Sequence, residues 1–399
     1  MDRREITTET KEVVVVGSFH EAAAPSFKAN LHCHSTHSDG KLTPQQVADL
    51  YAGEGYQILC IADHDAYGDQ DGDGLHDWNL DGVVSSRARP RGEGSKPHFP
   101  CNEDAGREAY LRDYTRTAAE QGRPWVEENW RLDRGGPLLF LPGFEDHFTG
   151  PHIVVNGFPI DDEGSDVARF RGTTDYRMIT QQAGGVVYLP HPNEWENEPE
   201  FFLDHPERRR FDGIEVVNGY LMRYGKLDDP AGTLGFARGL WDGILSAHVS
   251  CWGYCNDDMH TDGSDGGAGP FAAWTDVWAD TVTVEAVLRA LQGGSFCAST
   301  GVSVSSLTLE DGNVRVVTEN ANRIRFVGLG GKTLVEVESS GAEYPITGDE
   351  GYIRVECRND ELRWPDEQPE LGQWAFCQPL WILDATQQMP EGLKFVKEA

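Results

Sequence analysis

Short apolar runs that lead into a histidine or an acidic residue recur through the first 300 residues of the chain. The clearest cases are ILCIA before His64, GPLLFLPGFED with Glu145, GGVVYLPHP with His191, and WDGILSAHVSCWGYCNDDMH with Asp258 and His260. Apolar runs of this kind indicate buried strands. Since polar residues follow each run, we expect them at the carboxyl ends of strands, where α/β barrels carry their active sites.

The segment after His34 predicts a strand–helix–strand unit. Thr43 is a suitable N-cap, Pro44 suits the first helical position, and Gln46 completes a capping box. An apolar stretch, KANLH (28–32), precedes this helix, and the run ILCIA (58–62) follows it. Such a unit favours a parallel sheet with a right-handed crossover.

Two regions depart from this pattern. Residues 66–135 are polar and rich in Gly, Pro and Arg, which predicts a long insertion beside the site. From about residue 302 apolar and polar residues alternate between turns, which is typical of antiparallel strands. The sequence therefore predicts an α/β region over 1–301 and a small β domain over 302–399.

The chain is strongly acidic, with 66 acidic and 34 basic residues and a net charge of −32. Such a surface repels nucleic acid and anionic membranes, so we expect neither as a partner. No apolar run approaches the roughly 20 residues of a membrane span. The apolar run VVVV near the N-terminus is too short to be the apolar core of a signal peptide. We therefore expect a cytoplasmic protein, with export after removal of a signal peptide as the alternative, and we expect its eight scattered cysteines to be reduced.

Histidines and carboxylates are the candidates for chemistry. They are His32, His34, Asp39, His64, Glu145, His152, His191, Asp258 and His260. Imidazole and carboxylate together suit zinc, manganese or iron. In an extended strand, His32 and His34 point to the same face and can reach one ion.

The ordered motifs resemble those of the PHP (polymerase and histidinol phosphatase) family of metallohydrolases. The motifs are His32-Cys33-His34 with Ser38-Asp39-Gly40, Ala62-Asp63-His64, Pro142-Gly143-Phe144-Glu145, Pro190-His191-Pro192 and Asp258-Met259-His260. The resemblance runs over about residues 28–300. It implies a distorted, TIM-like (β/α)7 barrel and up to three metal ions. The tail WAFCQPLWIL and the β domain resemble the CehA/McbA-like branch, which includes an aryl carbamate hydrolase.

The resemblance also implies three sets of ligands. The sets are His32, His34, Glu145 and Asp258 for one ion, Glu145, His152 and His191 for a second, and Asp39, His64 and His260 for a third. Glu145 would bridge the first two ions. His37 competes with Asp39 as a ligand.

The leading hypothesis is a metal-dependent phosphoesterase that acts on a small phosphorylated metabolite or nucleotide. A hydroxide bridging two ions would attack the phosphoester, and Asp39, His64 or His260 would help to protonate the leaving group. One alternative is a carboxylic or carbamic ester hydrolase on the same metals. Another is a binding module in which the metals only brace the fold.

A second metal motif lies in the insertion. DQDGDGLHD (69–77) places Asp69, Asp71, Asp73 and Asp77 at the spacing of a calcium loop, although position 12 holds Leu80 with Asp81 one place later. It resembles the calcium loops of dockerin and thrombospondin repeats. A calcium ion bound by residues 69–81 would hold the insertion near the site. The alternative is that these residues form a simple acidic turn without an ion.

Overall fold

The computed structural model describes residues 1–8, 11–36, 38–64, 138–146, 152–158, 175–194, 199–203, 211–224, 235–264, 269–361, 373–384 and 386–393. These residues form a mixed α/β structure that is rich in β-sheet. The mixed α/β class predicted from the sequence is therefore confirmed.

Twenty strands are formed by the described residues. In chain order they are β1 (Asp2–Thr7), β2 (Glu12–Gly17), β3 (Ser26–Asn30), β4 (Ile58–Leu59), β5 (Leu139–Phe140), β6 (Gly143–Asp146), β7 (Ile153–Asn156), β8 (Val186–Leu189), β9 (Gly213–Asn218), β10 (Trp252–Asn256), β11 (Trp274–Trp278), β12 (Phe296–Ser299), β13 (Val304–Glu310), β14 (Asn313–Thr318), β15 (Arg323–Gly328), β16 (Lys332–Val337), β17 (Gly341–Pro345), β18 (Tyr352–Asn359), β19 (Gln373–Cys377) and β20 (Leu380–Asp384).

Six α-helices lie among these strands in the described part of the chain. They are α1 (Pro44–Gly53), α2 (Asp175–Gln182), α3 (Pro199–Leu203), α4 (Gly219–Tyr224), α5 (Arg238–Ser246) and α6 (Val284–Gln292). Within the same ranges, no helix combines the length and the apolar character that crossing a membrane requires.

Helix α1 connects two parallel strands, as the sequence predicts. Thr43 caps the helix, and the capping box with Gln46 is present in both directions. Strands β3 and β4 pair in parallel on either side of it. The β4 ladder is shorter than the predicted strand over 58–62. The N–H groups of Cys60 and Ala62 nevertheless continue to donate to carbonyls of the first segment, at 2.9 and 2.8 Å.

A five-stranded sheet has the order β10-β9-β8-β7-β6. Strands β8, β9 and β10 are parallel, whereas β7 pairs antiparallel with both of its neighbours. The larger sheet has twelve strands, with β11-β3-β4-β5 at one end of its order. Each sheet therefore contributes parallel strands whose carboxyl ends carry predicted site residues.

Two isolated parallel bridges join these two sheets beside the predicted site. One pairs Cys33 with Met259, and the other pairs His64 with Glu145. These bridges bring the segments that follow β3, β4 and β10, and strand β6, to a common place. The closed barrel stays a prediction.

The strands after residue 302 pair antiparallel, as expected from their alternating pattern. The larger sheet also crosses the predicted boundary, because β12 pairs with β19 and β2 pairs with β20. The division of the chain into 1–301 and 302–399 stays a prediction.

Aromatic rings pack beneath the strand ends that carry the site. Tyr188 stacks on Tyr254 with ring centroids 4.3 Å apart, and Tyr254 stacks on Phe296 at 4.9 Å. All three side chains are buried. The hydroxyl of Tyr188 donates to the carbonyl of Leu31 at 3.2 Å, directly before His32. This layer supports the floor of the site.

A buried ion-pair network ties α5 to the C-terminal strands. Arg354 donates from Nε and Nη2 to the two carboxylate oxygens of Asp242, at 2.8 and 2.6 Å, and pairs with Glu356. The hydroxyl of Tyr352 also donates to Asp242, at 2.8 Å. Since Arg354 is buried, the loss of its partner would leave an uncompensated charge in the interior.

We therefore expect Asp242→Ala to lower the free energy of unfolding by about 3 kcal/mol, measured by urea denaturation. Asp280→Ala removes an exposed carboxylate and serves as the control, with an expected change within about 0.5 kcal/mol. Equal stabilities of the two variants would contradict a structural role for the network.

Candidate metal centre

Two short segments that are distant in sequence lie side by side at the site. They are His32-Cys33-His34 and Asp258-Met259-His260. The N–H of Asp258 donates to the carbonyl of His32, and the N–H of His34 donates to the carbonyl of Met259, both at 2.9 Å. Backbone pairing therefore places the ligand candidates of the two segments next to each other.

Side-chain alternation sorts each segment into a buried face and a ligand face. Cys33 and Met259 point away from the site and are completely buried in one apolar cluster. His32 and His34 point the other way, with their Nε2 atoms 3.2 Å apart. The prediction that these two histidines share a face is confirmed.

Two triangles of ligand atoms share the edge between these two Nε2 atoms. Oε2 of Glu145 lies 3.3 Å from His32 Nε2 and 3.4 Å from His34 Nε2. On the other side, Oδ1 of Asp258 lies 3.3 and 3.0 Å from the same two nitrogens. The four residues of the first ligand set implied by the resemblance thus form two triangles on one shared edge, and no single group of ligand atoms among the described residues holds all four.

The Glu145 carboxylate faces imidazoles with both of its oxygens. Oε1 lies 2.7 Å from Nδ1 of His152 and 3.1 Å from Nε2 of His191. Oε2 lies 3.2 Å from Nδ1 of His64, besides the two nitrogens already described. One carboxylate therefore connects the first and second ligand sets.

The third set gathers around Asp39, in the loop that precedes α1. One carboxylate oxygen lies 3.7 Å from Nε2 of His64, and the other lies 3.3 Å from Nε2 of His260. The ring of His34 stacks on that of His64, with centroids 4.4 Å apart, and it lies 4.3 Å from the ring of His260. His34 therefore lies between the first and third sets.

All nine predicted ligand side chains converge in this one cluster. They form four overlapping groups, in each of which the ligand atoms lie within 4.8 Å of one another: His34 with Asp39, His64 and His260; His32 with His34 and Glu145; His32 with His191 and Asp258; and His64 with Glu145 and His152. The assignment of each ion to a particular set stays a prediction.

Some predicted residues lie outside the described part of the chain. They are His37, the alternative to Asp39, and the calcium-loop residues Asp69, Asp71, Asp73 and Asp77. Calcium binding by the insertion therefore stays a prediction.

The spacing of the ligand atoms fits a metal ion. With metal–ligand bonds of about 2.0–2.2 Å, neighbouring ligand atoms in tetrahedral or octahedral shells lie about 2.8–3.6 Å apart. Within the two triangles, which share the His32–His34 edge and end at Glu145 and at Asp258, the five separations run from 3.0 to 3.4 Å. The mixture of imidazoles and carboxylates suits zinc, manganese and iron.

The backbone is strained at two of the ligand positions. His191 has φ of 31° and Asp258 has φ of 51°. A positive φ is uncommon for residues other than glycine, and it persists where the surroundings impose it. At both positions the unusual backbone turns a side chain toward the cluster directly after a buried strand.

The loop that carries Asp39 is held by Asp63, next to His64. The Asp63 carboxylate accepts from the N–H of Ser35 at 2.6 Å and from the hydroxyls of Ser35 and Ser38 at 2.7 Å each. Gly40 packs directly against the backbone of His34 in this loop. A larger residue would not fit there, because its Cβ would lie 2.5 Å from that backbone. Asp63 therefore acts on the cluster by shaping this loop.

Two buried polar residues of the site do not appear among the predicted ligands. Glu215 lies on β9 within the run GIEVVN and accepts a hydrogen bond from Nδ1 of His32 at 2.9 Å. Asn218 ends the same strand and donates to Oδ2 of Asp258 at 3.2 Å. The signal for Glu215 is a single glutamate in an otherwise apolar buried strand.

Burial and neighbouring carboxylates act in opposite directions on the histidines. Burial lowers the pKa of His32, but the carboxylates of Asp258, Glu215 and Glu145 outweigh it and hold the pKa well above 6.5. For His64 burial dominates and lowers the pKa to about 3. The same cluster thus favours a proton on one imidazole and excludes it from another.

The more open side of the cluster carries an ion pair. Burial lowers the pKa of His260, but Asp39 and Asp258 outweigh it and raise the pKa to about 9. Burial raises the pKa of Asp39, whereas His260 and His64 hold it well below its usual range. Asp39 is therefore ionised at neutral pH.

Comparison with known proteins finds only distant similarity. No family model matches the chain, and no curated protein matches it. A two-domain protein from Bacteroides vulgatus, described as containing a predicted PHP-like metal-dependent phosphoesterase, has 14% identity and a TM-score of 0.39 over 95% of this chain and 99% of its own.

Two other solved structures are similar over parts of the chain. The lesion-specific endonuclease PfuEndoQ from Pyrococcus furiosus has 12% identity and a TM-score of 0.34 over 67% of this chain and 56% of its own. An amidohydrolase from Chromobacterium violaceum has 14% identity and a TM-score of 0.31 over 59% and 89%. Similarities this distant carry no argument about this chain, so membership of the PHP family and of its CehA/McbA-like branch stays a prediction.

We expect Glu145→Gln to bind fewer metal ions. The amide removes the charge shared by two ligand sets, so the purified variant should lose at least about one ion per chain after dialysis, measured by elemental analysis. Glu350→Gln is the matched control, because Glu350 is also buried and hydrogen-bonded, to Tyr344 and the turn at 347–348. Wild-type metal content in Glu145→Gln would contradict the role of Glu145.

Metal binding should release protons at neutral pH. A ligand imidazole must be neutral, and the raised pKa of His32 means that an ion has to displace its proton. The apparent affinity should therefore rise with pH, by about tenfold per pH unit for each proton displaced, until the pKa of His32 is passed. Calorimetry in buffers of different ionisation enthalpy measures this release, and a binding enthalpy independent of the buffer would contradict it.

Proposed function

We propose that this protein is a metal-dependent phosphoesterase that hydrolyses a small phosphorylated metabolite or nucleotide. The observation that carries the proposal is the convergence of nine imidazole and carboxylate ligands, in overlapping groups, around Glu145. A single structural ion needs about four ligands. A set of nine is larger than one bracing ion requires and suits two or three ions acting together.

The proposed scaffold is a distorted seven-stranded barrel. Starting from β3, ladders and bridges lead through β4, β6, β7, β8, β9 and β10 and back to the segment after β3. Two of these steps, His64 to Glu145 and Cys33 to Met259, are single bridges. Both lie at the ligand cluster, which supports a ring of strands that closes around the metals.

The proposed cofactors are two or three transition-metal ions, zinc, manganese or iron. His32, His34, Glu145 and Asp258 would hold one, and Glu145 with His152 and His191 a second, while Asp39, His64 and His260 are available to a third. When bound, such ions act as Lewis acids, which lower the pKa of a bound water to about 7 and polarise the oxygens of a substrate.

The exposure of the ligands indicates the side from which a substrate enters. The side chains of His32, His34 and Glu145 are at most 1% exposed, whereas Asp39 is 23% and His260 20% exposed. Asp39 and His260 would therefore face the side from which a substrate enters and a leaving group departs. Protonation of that leaving group by Asp39, His64 or His260 stays a prediction, and of the two more exposed residues only His260, with its raised pKa, carries a proton at neutral pH.

The charge of the chain is consistent with a phosphorylated substrate bound at a metal centre. The chain carries −32 overall, which repels anions. Clustered metal ions would supply the local positive charge that a phosphate requires, spread over several of its oxygens. The acidic surface would then restrict entry to ligands that the metals bind strongly.

Hydrolysis assays on metal-reconstituted protein test this proposal. We expect turnover of small phosphomonoesters or nucleotides, loss of turnover after chelation, and recovery with zinc, manganese or iron. Asp258→Ala should lower kcat/KM at least about 100-fold, or about 2.7 kcal/mol of transition-state stabilisation. Glu350→Gln, remote from the cluster, should retain wild-type turnover.

The same experiment distinguishes the alternatives. Turnover of aryl esters or carbamates without phosphatase activity would replace the proposal by a CehA/McbA-like ester hydrolase. Bound metal without any turnover of phosphate, ester, carbamate or oligonucleotide substrates would favour a binding module that the metals brace.

A further inference from the structure

We infer that Glu215 is the positioning residue of this metal centre, and that it fixes His32, His191 and Asp258 without itself binding an ion. The inference rests on the proposed metal site. It concerns a residue of β9 that lies behind the ligand cluster and is 1% exposed. A carboxylate buried so deeply requires partners for each of its lone pairs.

The Glu215 carboxylate is fully occupied by protein donors. Oε1 accepts from Nδ1 of His32 at 2.9 Å and from Nδ2 of Asn256 at 3.0 Å. Oε2 accepts from the N–H of His191 at 2.9 Å and from Nδ2 of Asn218 at 2.8 Å. An ionised carboxylate has about four lone-pair sites, and four donors fill them, so Glu215 is not a ligand.

These contacts reach three ligand residues. The bond to His32 places the proton of that ring on Nδ1 and leaves Nε2 directed at the cluster. The bond to the His191 backbone N–H holds that residue in its positive-φ conformation. Asn218 extends the network, because the same Nδ2 also donates to Oδ2 of Asp258 at 3.2 Å.

Asn256 anchors the network to the floor of the site. Its Nδ2 donates to the hydroxyl of Tyr188 at 3.1 Å as well as to Glu215, and its Oδ1 accepts from the N–H of Leu31 at 2.9 Å. The residue directly before His32 is therefore held by the same side chain that holds Glu215. The orientation of the His32 ring is fixed from its backbone and from Nδ1.

Glu145 and Glu215 thus divide two tasks. Both oxygens of Glu145 face imidazole nitrogens of the cluster, among them Nε2 of His32. Glu215 instead contacts Nδ1 of His32, the nitrogen that faces away from the cluster. A carboxylate in the second position raises the basicity of the imidazole and holds its orientation. Removing its charge should weaken metal binding without removing a ligand.

The test is zinc affinity, measured by competition with a chromophoric chelator. We expect Glu215→Gln to bind zinc about 10–100-fold more weakly than wild type, and Glu350→Gln, an equally buried glutamate remote from the cluster, to bind as wild type does. The zinc-free variants are compared by circular dichroism to confirm that they are folded. Wild-type zinc affinity in folded Glu215→Gln would overturn the inference.

A second measurement uses wild-type protein and stands even if Glu215→Gln does not fold. In zinc-loaded protein labelled with 15N-histidine, the His32 ring, identified by its loss in His32→Gln, should carry its proton on Nδ1. A proton on Nε2 would overturn the inference. Failure of the proposed function gives a different result, zinc bound with no substrate turned over, and leaves both measurements valid.

Discussion

A buried carboxylate surrounded by imidazoles is the constraint on which the rest of this structure depends. Glu145 is 1% exposed and contacts five histidine rings with its two oxygens. Burial raises the pKa of Glu145, but His64, His152 and His32 hold it well below its usual range. An ionised group at this depth is expensive without compensation. The surrounding imidazoles supply part of that compensation, and the proposed metal ions would supply the rest.

Backbone pairing gives this cluster its shape. The single bridges at Cys33–Met259 and His64–Glu145 place ligands from four distant parts of the sequence at hydrogen-bonding distance from one another. Alternation along the extended segments then sends apolar side chains into the core and ligands into the site. His191 and Asp258 have positive φ. The resulting turn of the chain directs their side chains at the cluster, which the alternation of an extended strand would not do. Stability and ligand geometry are therefore set by the same hydrogen bonds.

Local patterns in the sequence are sufficient to predict the elements near the site and the ligand candidates. The capping box of Thr43 and Gln46 and the apolar runs before His64 and His191 are short-range signals, and the structure has the corresponding helix and strands. Which oxygen meets which nitrogen depends on strand register across more than 200 residues, and no local pattern encodes that. The same holds for Glu215: the sequence marks it only as a single acidic residue in an apolar run, and its partners come from β10 and from the segments after β3 and β8.

The most direct measurement is a crystal structure of zinc- or manganese-loaded protein with anomalous diffraction at the metal edge. Convergence of the nine ligands predicts at least two anomalous peaks about 3.5–4 Å apart, both coordinated by Glu145, with His32 Nε2 bound to one of them. A map without peaks at this cluster, or with a single ion that leaves Glu145 uncoordinated, would contradict a shared multinuclear centre.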